Sequence, residues 1–276
     1  MDEAGVALRV KGQLHLVCGL DTAGRSALID QYVSAPMHIS KPWWEQGGLL
    51  IVNAINATAG LFSGDVIETR IRVRSGAQLL VTSASASRAH RMPSGMAVVR
   101  QAIRVDDAGW LELWPSLFIP HAGSHYVQET SVELAHGARF LWSETVAPGR
   151  VAFGESWEFD RFESRLQINY ASRPLARESY SLSPQSPSIQ ALRRQFPSAC
   201  HGTCYAAGAE FPNELLAAIM ALHHAQCWVG CTRLDAPAIA IRVVAADNVE
   251  LTRAMTRARE LIHQSFGRPV PPLRRS

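Results

Sequence analysis

The chain has 276 residues with a formal net charge of +3; 47% of the residues are hydrophobic and 18% are charged. A chain of this length buries roughly three quarters of the surface that its unfolded form exposes, so one large domain, or one domain with an appendage, is expected. The arginines alternate with acids instead of forming a basic run, and this pattern does not indicate a nucleic-acid partner.

A loop with two glycines precedes the first long predicted strand. The decapeptide NATAGLFSGD contains Gly60 and Gly64, where the backbone can turn sharply, and it ends at Asp65. Two roles stay open for Asp65: a polar group that faces a cavity or a partner, or a cap that accepts hydrogen bonds from the amides of its own loop. No Gly-Lys-Ser or Gly-Lys-Thr follows the glycines, so this is not a phosphate-binding loop.

The region from about residue 66 to residue 144 contains the same strand, turn, strand unit three times. The copies are VIETRIRVRSGAQLLV, RQAIRVDDAGWLELW and QETSVELAHGARFLW, centred on Gly76, Gly109 and Gly137. In the first copy apolar and polar residues alternate with the period of a half-buried strand. Because each glycine follows a non-glycine residue, we expect a type I turn with glycine in the left-handed position. The repeats therefore predict stacked hairpins or coils of sheet.

The strand that follows the first repeat is rich in hydroxyl groups. Its sequence VTSASASRAHRMP contains Thr82, Ser83 and Ser85, and this density is typical of a tight layer of small residues or of a polar channel. No GxSxG elbow is present, so a serine nucleophile is not indicated. Further along, Glu144 and Glu178 are single acids on predicted strands, and the sequence alone does not make them an acid and base pair.

The pattern changes after the stretch SPQSPSIQ, which is rich in Ser and Pro. From Pro212 the apolar residues follow a helical period, and a strand pair, CWVGCTRL and PAIAIRVVAA, comes next. The last predicted helix begins at an Asp247 cap and ends at Gly267. We therefore expect a mainly β body of coiled sheet over residues 1–185. A small α+β appendage of helix, strand, strand and helix follows over residues 186–276, packed on the body as part of one structural domain.

The chain has five cysteines, an odd number, and its acidic start MDEAGVALRVKG does not predict a secretory signal. We therefore expect reduced thiols in the cytoplasm. No stretch reaches the roughly 20 apolar residues that cross a bilayer, so no membrane partner is expected.

Four of the cysteines cluster with histidines in CHGTC and HHAQCWVGC. One candidate for this cluster is a zinc or nickel site with the ligands Cys200, Cys204, His223, His224, Cys227 and Cys231. The gap within each cysteine pair is three residues, whereas structural zinc sites more often have a gap of two. Buried free thiols are therefore the interpretation we adopt, with the metal site as the alternative.

Ordered blocks over most of the chain resemble one known family. The blocks are NATAGLFSGD, VRSGAQLLVTSASASRAHRM, LELWPSLFIPHAGS and ELAHGARFLWSETVAPGRVAFGE, with the ending FGRPVPPLRR. Together they resemble the urease accessory protein UreD family, called UreH in some bacteria, from about residue 32 to the C-terminus. The resemblance implies a coiled, β-helical, solenoid-like sheet with a few helices. It also implies a non-enzymatic nickel-insertion chaperone that acts with UreF, and through UreF with the GTPase UreG, on apo-urease.

The resemblance further implies a polar route for Ni²⁺ in transit and no tightly bound cofactor. The matching blocks place on this route Asp65, Thr82, Ser83, Ser85, Glu144 and Glu178. Some positions depart from the family pattern: Ala59 and Ser63 stand where the family usually has glycine, and Arg88 stands where a lysine is typical. The chain is therefore similar to a divergent member. Weak, successive oxygen ligands suit an ion in transit, because tight thiolate binding would trap it.

Two alternatives come from other classes of protein. A Cys/His metalloprotein would hold one zinc or nickel ion tightly at the cysteine and histidine cluster. A β-solenoid enzyme acting on polysaccharide would need two carboxylates at a suitable separation on one face. The metal content of the purified chain separates the metalloprotein from the nickel chaperone.

Overall fold

The computed structural model describes residues 10–235 and 237–273, which form two β-sheets and three α-helices. The strands are β1 (Lys11–Leu20), β2 (Ser26–Ser34), β3 (Met37–Ile39), β4 (Trp43–Trp44), β5 (Leu50–Asn56), β6 (Val66–Val73), β7 (Gln78–Thr82), β8 (Ser87–Ala89), β9 (Ala97–Val105), β10 (Trp110–Trp114), β11 (Phe118–Pro120), β12 (His125–Leu134), β13 (Arg139–Val146), β14 (Arg161–Tyr170), β15 (Arg173–Leu182), β16 (Cys200–Ala207), β17 (Cys227–Arg233) and β18 (Ala238–Ala245). The helices are α1 (Pro187–Gln195), α2 (Asn213–Met220) and α3 (Asn248–Ser265). None of these described helices has the length and apolar character needed to span a membrane. The start of the chain, where no secretory signal is predicted, lies largely outside the described residues.

Each predicted repeat is one coil whose two strands lie in different sheets. The first strands, β6, β9 and β12, belong to a seven-stranded sheet with the order β15-β14-β12-β9-β6-β1-β2, called here the first sheet. The second strands, β7, β10 and β13, belong to the second sheet, with the order β17-β18-β16-β13-β10-β7-β5-β3. Successive coils pair in parallel in both sheets. The repeats are therefore coils and not hairpins, and the predicted mainly β, solenoid-like fold is confirmed.

Two of the three predicted turn glycines have the expected left-handed conformation. Gly76 has φ of 73° and Gly137 has φ of 80°. In the middle coil the left-handed residue is Ala108, with φ of 53°, and not Gly109, so the prediction is wrong there by one position. Gly109 is needed for a different reason: a Cβ atom at this position would lie 2.9 Å from the backbone oxygen of Asp106.

The central strands of the second sheet, β7, β10 and β13, are buried on both faces. The face of this sheet toward the first sheet packs in a cluster with residues such as Leu16, Ile71 and Phe140. Its other face packs against the C-terminal helices through residues such as Trp110 and Met255. Strands buried on both faces are continuous apolar runs, which explains why β7 and β10 lack the alternation of β6.

A buried ion cluster joins the second sheet to α3. Glu112 on β10 is fully buried; Arg259 donates from Nε to its Oε1 at 2.5 Å, and His263 donates from Nε2 to its Oε2 at 3.1 Å. Burial opposes ionisation of Glu112, but the His263 hydrogen bond and the Arg259 charge together hold its pKa below the usual value. Arg259 also donates to the carbonyl of Pro271 at 3.0 Å, so the cluster fixes the segment after α3 as well.

The C-terminal elements follow the sequence closely, with one addition. Helix α3 has the predicted Asp247 cap, whose Oδ1 accepts from the amides of Val249 and Glu250, and the predicted stop at Gly267 has φ of 64°. Helix α1 lies in the Ser- and Pro-rich stretch, where no helix is predicted. Strand β16 pairs directly with β13, so the second sheet continues into the C-terminal region. The division of the chain at residue 185 stays a prediction.

The Gly109 turn generates the first testable prediction. We expect Gly109→Val to lower the free energy of unfolding by about 1–3 kcal/mol, because its side chain would overlap backbone atoms of the same turn. Urea unfolding followed by circular dichroism measures this. Gly230→Val is the matched control, since a Cβ there has no neighbour within 4 Å. Equal stability of the two variants would show that the Gly109 turn tolerates a side chain.

Candidate functional site

A cavity of about 230 Å³ lies between the two sheets, near the end where the coils connect through loops. Its inner part is apolar, with Leu14, Val81 and Trp142. The remaining wall mixes apolar and polar residues and contains four of the six residues predicted for the nickel route, namely Thr82, Ser83, Ser85 and Glu144. The prediction of a hydroxyl-rich strand is wrong beyond Thr82, because Ser83 and Ser85 lie in the loop between β7 and β8. This stretch lines a cavity whose wall is partly polar and partly apolar.

The hydroxyl groups lead from the surface inward. Ser85 is exposed, Ser83 is half-buried and Thr82 is buried. Thr82 donates from Oγ1 to the carbonyl of Trp114 at 2.8 Å, and the Oγ of Ser83 accepts from the amide of Ser116 at 2.8 Å. These bonds fix both side chains on the next coil and leave oxygen lone pairs free to accept or to coordinate.

Glu144 is the buried carboxylate of this cavity. Gln128 donates to its Oε2 at 2.5 Å, Ser164 donates to the same oxygen at 3.3 Å, and Tyr180 donates to its Oε1. Burial raises the pKa of Glu144 to about 7, the charge of Glu178 acts in the same direction, and the donated hydrogen bonds oppose the shift only in part. The carboxyl group therefore changes its charge near neutral pH.

A histidine extends this network without adding charge. The Nε2 of His201 lies 3.2 Å from the hydroxyl of Tyr180, which in turn donates to Glu144. Burial and the neighbouring charge of Arg242 lower the pKa of His201 to about 4, so the imidazole is neutral at pH 7. Within the described residues, Glu144 consequently has no cationic partner.

Asp65 lies outside the cavity and has the geometry of a cap. Its Oδ2 accepts from the amide of Phe62 at 2.8 Å, and its Oδ1 accepts from the amide of Val10 at 3.1 Å. The side chain is buried. Asp65 thus holds the loop that carries Gly60, and Gly60 itself lines the cavity.

Glu178 is paired with a cation. Its Oε2 lies 2.8 Å from Nη2 of Arg242 and accepts from the hydroxyl of Tyr205 at 3.1 Å. The three acids predicted for the route therefore have three different environments: Asp65 binds backbone amides, Glu178 binds an arginine, and Glu144 faces the cavity.

The alternative cysteine and histidine cluster is spread over several strands. Cys200 and Cys227 both lie opposite Ala245, one on each side of β18, and Cys204 and Cys231 lie in the same way on either side of Ile241. Strands separated by a third strand are about 9–10 Å apart, whereas two sulfur ligands of one zinc ion lie within about 4.6 Å of each other. Among the described residues no three His, Cys, Asp or Glu side chains are grouped to hold a metal ion.

The two histidines of this alternative are engaged elsewhere. Nδ1 of His223 accepts from the amide of Val229 at 3.3 Å, and Nε2 of His224 lies 3.3 Å from Glu250. Burial raises the pKa of all four thiols, to about 12 for Cys200 and to about 11 for Cys231. The thiols are therefore protonated at neutral pH, a state in which they are poor metal ligands.

Sequence reasoning missed the partners of Glu144. Gln128, Ser164 and Tyr180 lie on β12, β14 and β15, three neighbouring strands of the first sheet. A signal existed for Gln128, which occupies an inward position between Tyr126 and Thr130 where the strand period predicts an apolar residue. Glu144 is also the only carboxylate among the described residues that line the cavity, so the pair required by the polysaccharide alternative is not formed there.

The raised pKa of Glu144 predicts a pH dependence of stability. As the pH rises, the Glu144 carboxyl of the unfolded chain loses its proton around pH 4.5, whereas the folded protein keeps this proton until about pH 7. This stabilisation is complete below pH 4.5 and is lost as the pH rises through about 7. Between pH 5 and pH 8, the free energy of unfolding of wild type should fall by about 2–3 kcal/mol relative to that of Glu144→Gln. Urea unfolding of both proteins at both pH values measures this. If the difference in free energy of unfolding between wild type and Glu144→Gln were the same at pH 5 and pH 8, Glu144 would ionise normally.

The raised pKa values of the thiols predict slow chemical modification, even for the partly buried Cys231. At pH 8 the thiol of Cys231 should react with an aromatic disulfide reagent about a hundredfold more slowly than in the urea-unfolded chain, because its pKa rises from 9.0 to about 11. Absorbance of the released chromophore measures the rate. Fast reaction of the folded protein, suppressed by stoichiometric Zn²⁺, would instead favour the Cys/His metal site.

Comparison with known proteins supports the resemblance seen in the sequence. The family of the UreD urease accessory protein matches residues 10–276. The urease accessory protein UreD of Opitutus terrae is 36% identical over 263 residues, which are 93% of this chain and 96% of that protein. UreD of Acetivibrio thermocellus is 30% identical over 61% of this chain and 65% of its own length, and UreH of Helicobacter pylori strain G27 is 24% identical over 64% and 66%. Because the family matches residues 10–276 and the Opitutus terrae protein matches 93% of the chain, the chain belongs to the UreD family of urease accessory proteins.

Proposed function

We propose that the chain is a non-enzymatic chaperone of nickel insertion that links a UreF and UreG nickel donor to apo-urease. In this proposal Ni²⁺ passes through the cavity between the sheets. The observation that carries the proposal is the position of Glu144, a buried carboxylate that lines the cavity with hydroxyl groups beside it and without a cationic partner among the described residues. The relatives are named urease accessory proteins, and this name supports a role in the assembly of urease.

The lining supplies oxygen ligands in a sequence that suits an ion in transit. Ser85 at the exposed end, then Ser83 and Thr82, offer neutral hydroxyl oxygens, and Glu144 offers one charged oxygen ligand. Such oxygen ligands bind Ni²⁺ more weakly than imidazole or thiolate ligands, so the ion exchanges readily between them. The chain therefore needs no tightly bound cofactor in this proposal.

Glu144 gives the route its one variable charge. An approaching dication favours the ionised carboxylate, because an opposite charge within a few ångströms lowers the pKa of an acid. The donors Gln128, Ser164 and Tyr180 hold the carboxylate in place while the ion is present or absent. A negative charge thus appears at the cavity when the cation arrives.

The other two predicted acids have supporting parts in this proposal. Asp65 fixes the loop beside the cavity through two backbone amides, and it reaches an ion only if these bonds break. Glu178 binds an ion only after exchange with Arg242. Five free cysteines, four of them buried, support function in the cytoplasm, where thiols stay reduced.

The proposal predicts that Glu144→Gln lowers urease activation about tenfold or more at equal concentration of folded protein, because a charged ligand is replaced by a neutral one. Activation is measured with purified apo-urease, UreF, UreG, GTP and Ni²⁺. Glu133→Gln is the matched control, since Glu133 is exposed on the opposite face of the first sheet and does not line the cavity. Equal activation by wild type and Glu144→Gln would remove Glu144 from the route.

Asp65→Ala separates the two roles of Asp65. If Asp65 is only a cap, Asp65→Ala should lower the free energy of unfolding by about 0.5–2 kcal/mol. Urease activation should then fall only in proportion to the amount of folded protein. A larger loss of activation at matched folded concentration would place Asp65 on the route. If wild type bound neither UreF nor apo-urease in a pull-down, the chaperone proposal itself would be wrong.

A further inference from the structure

The outer face of the first sheet carries side chains in rows that cross the strands, because the parallel strands are in register. One row contains long charged side chains, in the order Glu68, Arg100, Glu129 and Arg165. The adjacent row has shorter, uncharged side chains in its middle and an arginine at each end, in the order Arg70, Ala102, Ser131, Gln167 and Arg177.

The second row forms the floor of a groove that crosses five strands, here called the trough. Its volume is about 620 Å³. Ala102, Ser131 and Gln167 are exposed, and the hydroxyl of Ser131 is turned down to donate to the carbonyl of Gln101 at 3.4 Å. Short side chains beside long ones therefore leave an open channel across the sheet, with both of its ends marked by a guanidinium group.

The charges of the trough are balanced along its wall, whereas its two ends carry exposed arginines of which Arg70 has one acidic neighbour. Glu129 lies 3.0 Å from Arg100 and 2.9 Å from Arg165, so the wall neutralises much of its own charge. At one end Arg70 lies 3.6 Å from Glu68, and its side chain is 63% exposed. At the other end Arg177 is exposed and forms no ion pair within the part of the chain that the structure describes. The ends thus offer cationic groups to a ligand.

We propose that the trough binds an extended acidic segment of a partner protein, which lies across the strands with one carboxylate at Arg70 and another at Arg177. Neighbouring strands are about 4.8 Å apart, so the four steps from β6 to β15 span about 19 Å. An extended chain advances about 3.3 Å per residue, and the two carboxylates are therefore about six residues apart. Arginine suits this role because its planar guanidinium binds carboxylates with two parallel hydrogen bonds.

A peptide fits the trough better than a nucleic acid does. A nucleic acid carries a phosphate at every nucleotide, and the wall offers such a continuous line of negative charge no net attraction, because Glu68 and Glu129 offset the charges of Arg100 and Arg165. A peptide can place uncharged residues over Ala102 and Ser131 and carboxylates only at the ends. This proposal does not depend on the nickel route, since the trough faces away from the cavity.

The test uses a fluorescein-labelled peptide of about seven residues, with aspartate at both ends and uncharged residues between, and fluorescence anisotropy with the full chain at low salt. Arg70→Glu combined with Arg177→Glu should weaken binding about tenfold or more, because two exposed ion pairs become repulsive. The charge-matched control is Arg193→Glu combined with Arg194→Glu on α1, which should leave binding unchanged. Thermal unfolding confirms that each variant is folded.

A filling variant distinguishes the trough from general electrostatic attraction. Ser131→Arg adds a positive charge but places a long side chain on the floor, so we expect binding to weaken about fivefold or more, whereas general attraction would make it tighter. Unchanged or tighter binding by Ser131→Arg overturns the proposal. So does the absence of peptide binding by wild type, or tighter binding of a labelled single-stranded oligonucleotide that is lost in the same arginine variant.

Discussion

Strands β9, β12 and β14 pair in parallel without a register shift, and the other features of the molecule depend on this register. It places residues from successive coils, about 30 positions apart in sequence, side by side. On the inner face it brings Gln128 next to Ser164, and both donate to Glu144 on the opposite sheet. On the outer face it aligns Ala102 with Ser131 along the trough. One repeated backbone geometry therefore determines both a polar interior and a grooved exterior.

The three acids of the predicted route show how neighbours decide the chemistry of a carboxylate. Asp65 accepts from backbone amides, Glu178 is paired with Arg242, and Glu144 has only neutral donors around it. Around Glu144, burial and a neighbouring negative charge together raise the pKa to about 7. An acid that is isolated in this way can respond to an arriving cation, whereas a paired acid must first give up its partner.

The features that the sequence predicts well are those decided by residues close together in the chain. The period of β6, the spacing of the turn glycines and the Asp247 cap of α3 are local, and the fold class follows from them. The contact between Glu144 and Tyr180 joins residues 36 positions apart on different sheets, and no sequence period specifies which residue faces which. For α1 a local signal was present, since Ser186 caps the helix and Pro187 begins it, but the Ser- and Pro-rich composition indicated a loop.

The Glu112 cluster also orders the steps by which the newly synthesised chain folds. Arg259 follows Glu112 by 147 residues, which at about 5–20 residues per second corresponds to about 7–30 seconds of synthesis. During that interval the carboxylate on β10 has neither of its partners on α3, and an unpaired buried carboxylate costs several kcal/mol. The helix-facing side of the second sheet therefore cannot close over an ionised Glu112 while the ribosome is still making the intervening residues. The coils can stack early, but the layer that seals them forms only once α3 has been translated.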